Sequence, residues 1–157
     1  MGRIGDKLAE LELELPQPPA APAGVVLPFK WVRVSGGQAY VSGHGPLDGG
    51  EVLVRGKVGA DVSPDRATEA ARLTALSMFA SLERELGDLD RVTGWVKALG
   101  LVNCAPGFTG TPGVINGFSD LVIDVWGEAG RHARSAIGAS ELPFEMSVEV
   151  EAIVEVS

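Results

Sequence analysis

Residues 134–151 read RSAIGASELPFEMSVEVE, and the fold follows from them. Two β-type runs, Ala133–Ala139 and Ser147–Val156, flank a break at Leu142-Pro143. Side chains alternate sides along a strand. In the second run Val148, Val150, Ala152, Val154 and Val156 therefore point one way, and Glu149, Glu151, Ile153 and Glu155 the other. The valine face requires cover by other elements, whereas the carboxylate face is left for water or a partner. Arg134 opens the first run.

Working outward, Val92–Asn103 reads as a long strand, with Trp95, Lys97, Leu99 and Leu101 on one side and Val92, Val96, Ala98 and Val102 on the other. Both faces are largely apolar, which predicts cover on both. Upstream, Ser63 and Pro64 supply an N-cap and a first-turn proline, and Gly87 supplies a stop. Between them Ala71, Ala75, Met78, Leu82 and Leu86 recur at helical spacing. A Gly- and Pro-rich loop, Ala105–Gly113, leads to a second helix near Val114–Gly127. Phe29–Ser35 and Gln38–Gly43 form a hairpin across Gly36-Gly37, a dipeptide suited to positive φ. Val52–Val54 reads as a brief strand.

The order ββ, helix, β, helix, ββ predicts an α+β domain with two helices on one face of a sheet. Apolar residues such as Trp95 and Leu99 are then left on the opposite face, a pattern that favours self-association. At the N-terminus, residues 4–15 carry Leu8, Leu11 and Leu15 at helical spacing up to Pro16, and Pro16–Pro22 reads as an extended arm. The reading is thus an N-terminal helix and arm over 1–24 and a single domain over 25–157.

Composition narrows the function classes. A chain of 157 residues with 45% hydrophobic and 22% charged residues has the profile of one globular domain. A net charge of −8 disfavours nucleic acid, whose sequence-independent capture depends on Lys and Arg. One cysteine, Cys104, excludes an internal disulfide and a cysteine-based zinc site. The first residues carry no apolar signal-peptide core, and no run reaches 18 apolar residues. These features predict a cytoplasmic protein with no membrane partner.

Few residues stand out chemically. Arg134 has the donor fork for a carboxylate, against the ordinary role of a surface arginine. Glu149 and Glu151, alternating along a strand, match a solvated face or a protected edge better than a pair with a chemical role. His44 and His132 are too few and too isolated for a metal site, so no metal is assigned. Asn116 fits equally a helix N-cap and a ligand contact. No phosphate-binding loop is present.

Four motifs carry a resemblance: YVSGHGP at 40–46, VINGFSDL at 114–121, ARSA at 133–136, and Leu142-Pro143 followed by VEVEAI at 148–153. With them the chain, from about residue 25 onward, resembles the Rid/YjgF proteins, also known as L-PSP endoribonuclease-like. The N-terminal helix suggests a divergent branch. The resemblance implies a chorismate-mutase-like mixed sheet, a homotrimer with its sheets packed together inside, and a ligand cleft at each subunit boundary. Deaminase members hydrolyse reactive enamines and imines of small amino acids to 2-oxo acids and ammonia, without a cofactor. A non-catalytic trimeric binder of small carboxylates is the alternative, and an endoribonuclease a weaker one.

By the same resemblance Arg134 corresponds to the clamp for the substrate carboxylate and Glu149 to the acid that handles water and protons. Phe29, Gly43, Asn116 and Ala136 correspond to the pocket lining. Phe29 stands where deaminase members commonly have tyrosine, Ala136 where many have cysteine, and His44 where many have glutamine. If residues 134–156 formed a simple hairpin, Arg134 and Glu149 would lie roughly 13 Å apart along the strand. Their cooperation therefore requires non-adjacent strands or a neighbouring subunit.

Overall fold

The computed structural model describes residues 2–157. The strands are β1 (Val32–Ser35), β2 (Gln38–His44), β3 (Leu47–Asp48), β4 (Glu51–Val52), β5 (Val92–Asn103), β6 (Ala133–Ala139) and β7 (Val148–Val156). The helices are α1 (Arg3–Glu10), α2 (Pro64–Leu86) and α3 (Thr111–Trp126). Five strands form a mixed sheet in the order β1-β2-β7-β5-β6, and β3-β4 make a separate short hairpin. β5 and β6 run parallel, joined by a crossover through α3, and the other pairs are antiparallel.

β7 is the middle strand and behaves as its alternation predicts. Val148, Val150, Ala152 and Val154 are buried against the helices, and the glutamates lie on the other face. α2 forms where expected: Ser63 Oγ accepts from Arg66 N, Pro64 opens the helix, and Gly87 ends it in the left-handed region at φ 80°.

One expected orientation is wrong. Trp95 does not share a face with Lys97 and Leu99, because the register of β5 on β7 shifts between Trp95 and Lys97. The bulge adds a residue, so Trp95 and Ala98 both turn inward across a spacing of three. Trp95 joins an edge-to-face cluster with Phe79, Phe118 and Trp126, at ring centroid separations of 5.9, 6.0 and 5.3 Å. Trp126 anchors the cluster by donating Nε1–H to Val92 O at 3.0 Å. The outer face keeps Tyr40, Leu99, Leu101, Ile137 and Ile153 around the glutamates, with Tyr40 and Ile137 about half exposed.

Three boundaries also differ. α1 stops at Glu10, and Leu15 lies beyond a turn in which Glu12 has φ 55°. β1 begins at Val32 rather than Phe29, and α3 begins at Thr111 rather than near Val114. α1 buries Ile4 and Leu8, and Asp90 caps it from across the chain. Its Oδ2 accepts from Arg3 N and its Oδ1 from Ile4 N, each at 2.7 Å. The arm is pinned by Gln17 N donating to Asp48 Oδ1 and by Arg84 donating to Pro19 O.

α2 and α3 touch at Gly117, where an added Cβ would fall 2.1 Å from Thr68 O. Gly117→Ala should therefore lower stability by about 1–3 kcal/mol. Gly113, in the same helix, has open space at its Cβ position, and Gly113→Ala should be neutral or stabilising by up to about 1 kcal/mol. Urea unfolding of the pair checks the contrast.

Candidate functional site

Arg134 lies on the edge strand β6, level with the inward-facing Ala98, and its side chain runs along the flank of α3. Asn116 and Ser119, one helical turn apart, meet it there. Arg134 Nη1 donates to Asn116 Oδ1 at 2.8 Å and to Ser119 Oγ at 3.1 Å, and Nη2 donates to Pro112 O at 3.5 Å. A guanidinium has five N–H donors in a fixed fork. Both Nη1 hydrogens and one on Nη2 are therefore engaged. Among the described residues the Nε–H and one of the two Nη2 hydrogens have no acceptor, and the Nε/Nη2 edge has the spacing of a carboxylate. Ala136 follows two residues later on the same face, its carbonyl accepting from Thr111 Oγ1 at 2.9 Å. Asn116 is not the N-cap: Gly110 occupies that position, so the Asn116 amide sits in the second turn and is available to the arginine.

Glu149 and Glu151 project from the other face of the sheet. The Glu149 carboxylate lies over Gly43, where an added Cβ would come within 2.7 Å of Oε1. A side chain there would push the carboxylate out of this position. Partial burial, and then the neighbouring Glu151 carboxylate, raise the pKa of Glu149 above the ordinary glutamate value. Phe29 stands nearby at the rim of a hollow shared with Lys30, Tyr40, Ser42 and Glu151. Its ring packs edge-on against Trp31, with centroids 5.2 Å apart.

The predicted residues thus fall into two groups, Arg134, Asn116 and Ala136 in one and Phe29, Gly43 and Glu149 in the other. β5 separates β6 from β7, so the two runs are not a hairpin. Arg134 is level with Ala98 and Ala152, and Glu149 is three residues further along β7. The two are displaced by about 10 Å along the strands and about 10 Å across them, and lie on opposite faces. A small molecule held by Arg134 does not reach Glu149 of the same chain.

His44 is not part of either group. The register of β2 on β7 shifts between Val41 and His44, and the ring turns inward, completely buried. Nδ1–H donates to Ser42 O at 2.6 Å, and Nε2 accepts from Ser81 Oγ at 2.8 Å. Cys104 is partly buried at the end of β5, and burial pushes its thiol pKa up. No group of three or more His, Cys, Asp or Glu with metal-ligand geometry occurs among the described residues. Among the described residues no helix is long and apolar enough to cross a membrane. Ser119 and His132 were the members missed from sequence. Ser119 lies three residues after Asn116, a spacing that marks a shared helix face.

A half-covered mixed sheet with an arginine on its edge strand and a glutamate on its open face defines a chorismate-mutase-like α+β protein. A family described as "YjgF/chorismate_mutase-like, putative endoribonuclease" matches residues 6–155, and the chain belongs to that family. Protein TCP17 of Trypanosoma cruzi is 41% identical, over 99% of this chain and 96% of its own. The crystal structure of Atu1372, a protein of unknown function from Agrobacterium tumefaciens, has a TM-score of 0.87 at 40% identity, covering 99% of this chain and 93% of its own. A structure from Shewanella oneidensis, described as a "putative endoribonuclease", has a TM-score of 0.88 at 29% identity, covering 98% and 99%. These matches extend through α1 and the arm, upstream of the motifs from which the family is legible.

Burial lowers the pKa of His44 from 6.5 to about 4. The folded state therefore favours the neutral ring. The stabilisation is complete above the unfolded-state pKa near 6.5 and is lost as pH falls toward 4. The gap corresponds to roughly 3 kcal/mol. His44→Gln, whose amide can serve the same two partners, should remove this part of the slope when unfolding of the two proteins is compared between pH 7 and pH 4.

Proposed function

We propose that this protein hydrolyses small 2-imino acids to 2-oxo acids and ammonia, without a cofactor, in clefts formed between copies of the chain. One copy supplies Arg134 and its neighbour supplies Glu149, in a homotrimer of the kind the family resemblance implies. The observation that carries this reading is the Nε/Nη2 edge of Arg134, whose Nε–H and one Nη2–H have no acceptor among the described residues, with Glu149 on the opposite face of the same sheet. The apolar surround of Glu149 on the outer face is consistent with a second copy covering it.

In this scheme the bidentate edge holds the substrate carboxylate and so fixes C2. Water near Glu149 attacks C2, the C–O bond forms, and the C=N π electrons move to nitrogen. Glu149 takes the proton from water and returns it to the amine. The hydroxyl proton of the resulting carbinolamine then passes by way of Glu149 to the nitrogen, and the C–N bond breaks as the C=O bond forms, releasing ammonia and leaving the 2-oxo acid. A glutamate whose pKa lies above the ordinary range suits both directions of transfer better than a strongly acidic one. An endoribonuclease reading has less support: the net charge is −8, and both histidines are engaged by hydrogen bonds within the fold.

The test generates 2-aminoacrylate or 2-iminobutanoate with a pyridoxal enzyme and follows loss of the intermediate. Arg134→Ala and Glu149→Gln should each slow the reaction by about 10² or more. Equal rates for wild type and Arg134→Ala would sink the hydrolase reading, and pyruvate binding without turnover by wild type would make the protein a carboxylate binder. Mixed assemblies of the two inactive variants should regain about a quarter of wild-type activity, since one cleft in four then combines an intact Arg134 with a neighbour's intact Glu149. No recovery would place both residues' action within one chain.

A further inference from the structure

The hydrogen bonds behind Arg134 form a chain whose direction is fixed at both ends. The Gly130 carbonyl only accepts, so His132 Nδ1, 2.8 Å away, carries a proton. Arg134 only donates, so Ser119 Oγ, 3.1 Å from Nη1, receives a proton from it. Between them Ser119 Oγ and His132 Nε2 are 3.0 Å apart. With a neutral ring Nε2 is bare and accepts the Ser119 hydroxyl proton, which leaves Ser119 with lone pairs toward the guanidinium. Every hydrogen then has an acceptor. A second proton on the ring would strand the Ser119 hydroxyl proton and set two cations on one oxygen. Burial, and to a smaller degree the Arg134 charge, keep the His132 pKa below the ordinary value, against the opposing bond to Gly130. Phe118 packs edge-on to the ring at a centroid separation of 6.1 Å.

We propose that His132 is a positioning residue which, acting through Ser119, pins Nη1 of Arg134 to α3 and so holds the Nε/Nη2 edge toward the ligand. The last step rests on the carboxylate-clamp reading above, whereas the relay itself does not. Neither Ser119 nor His132 touches the ligand in this scheme.

Nitrogen-15 NMR of the wild-type chain in its solution assembly tests the relay without any variant. His132 should be the Nδ1–H tautomer at neutral pH, and a ring protonated on Nε2 would overturn the proposal. Arg134 should show separate Nη1 and Nη2 proton signals. These should merge in Ser119→Ala and His132→Leu and remain separate in His132→Gln, whose amide oxygen can accept from Ser119. Separate signals persisting in His132→Leu would also overturn it. In calorimetry with pyruvate as probe, Kd should rise about tenfold in Ser119→Ala and His132→Leu and stay within about twofold in His132→Gln. Equal Kd for His132→Leu and wild type, with Arg134→Ala impaired, would refute the positioning role. If Arg134→Ala itself binds pyruvate normally, the clamp reading fails, and the tautomer and guanidinium signals still decide the relay.

Discussion

The strict alternation of β7 is the constraint on which the remaining structure depends. It lies between β2 and β5, and its inward residues from Val148 to Val154 are almost entirely shielded by the helices. Each buried valine contributes roughly 1.5–3 kcal/mol relative to exposure. A slip of one residue would turn those valines to the outside and drive Glu149, Glu151 and Glu155 beneath α2. Carboxylates without partners are strongly disfavoured there, so the register is effectively fixed. Once it is fixed, Glu149 lies over Gly43, and β5 sets β6 and Arg134 two strands away with the side chain on the opposite face.

α3 links this frame to the candidate site. Ile115, Phe118 and Val122 face the core, while Asn116 and Ser119 lie on the flank that meets Arg134. The helix can come this close because Gly100, on the strand beneath, would otherwise carry a Cβ within 2.7 Å of the Ile115 side chain. The parallel crossover from β5 through α3 leaves β6 at the edge of the sheet. There its arginine is supported by the helix on one side and open on the other.

Periodic features were legible in the sequence, and features that break periodicity were not. The valine and glutamate faces of β7, the capping signals of α2 and the glycine turn between β1 and β2 depend on local chemistry, and they appear as read. Trp95 and His44 were harder because each borders a bulge that breaks the alternation of side chains along its strand, and bulges leave no composition signal of their own. Asn116 looked like a cap because Thr111-Pro112 was read as loop, although proline suits a first turn. The site residues themselves came from motif spacing. Their separation onto opposite faces came only from the placement of β5 between β6 and β7, a long-range pairing that neither local run encodes. Ser119 and His132 stayed invisible because one serine and one histidine thirteen residues apart acquire meaning only when α3 packs against β6.

Under the proposed function, the division of the candidate site would also tie assembly to protonation. In one chain Glu149 is already partly desolvated and faces a second carboxylate, so its proton is held more tightly than in water. In the proposed assembly, covering the outer face with another copy would remove more water and strengthen that tendency, while the arriving Arg134 would oppose it with a positive charge. In an empty cleft of that assembly the arginine would favour the ionised glutamate, the form that accepts a proton from water. Under the proposed function, a bound carboxylate would neutralise the arginine and return the balance toward the protonated acid, the form that delivers a proton to a departing amine. The substrate's own charge would thus help to set the protonation state of the residue that acts on it, provided that the guanidinium is held at a fixed distance. That provision is the role proposed for Ser119 and His132, and it would account for an arginine fastened by three acceptors on one helix.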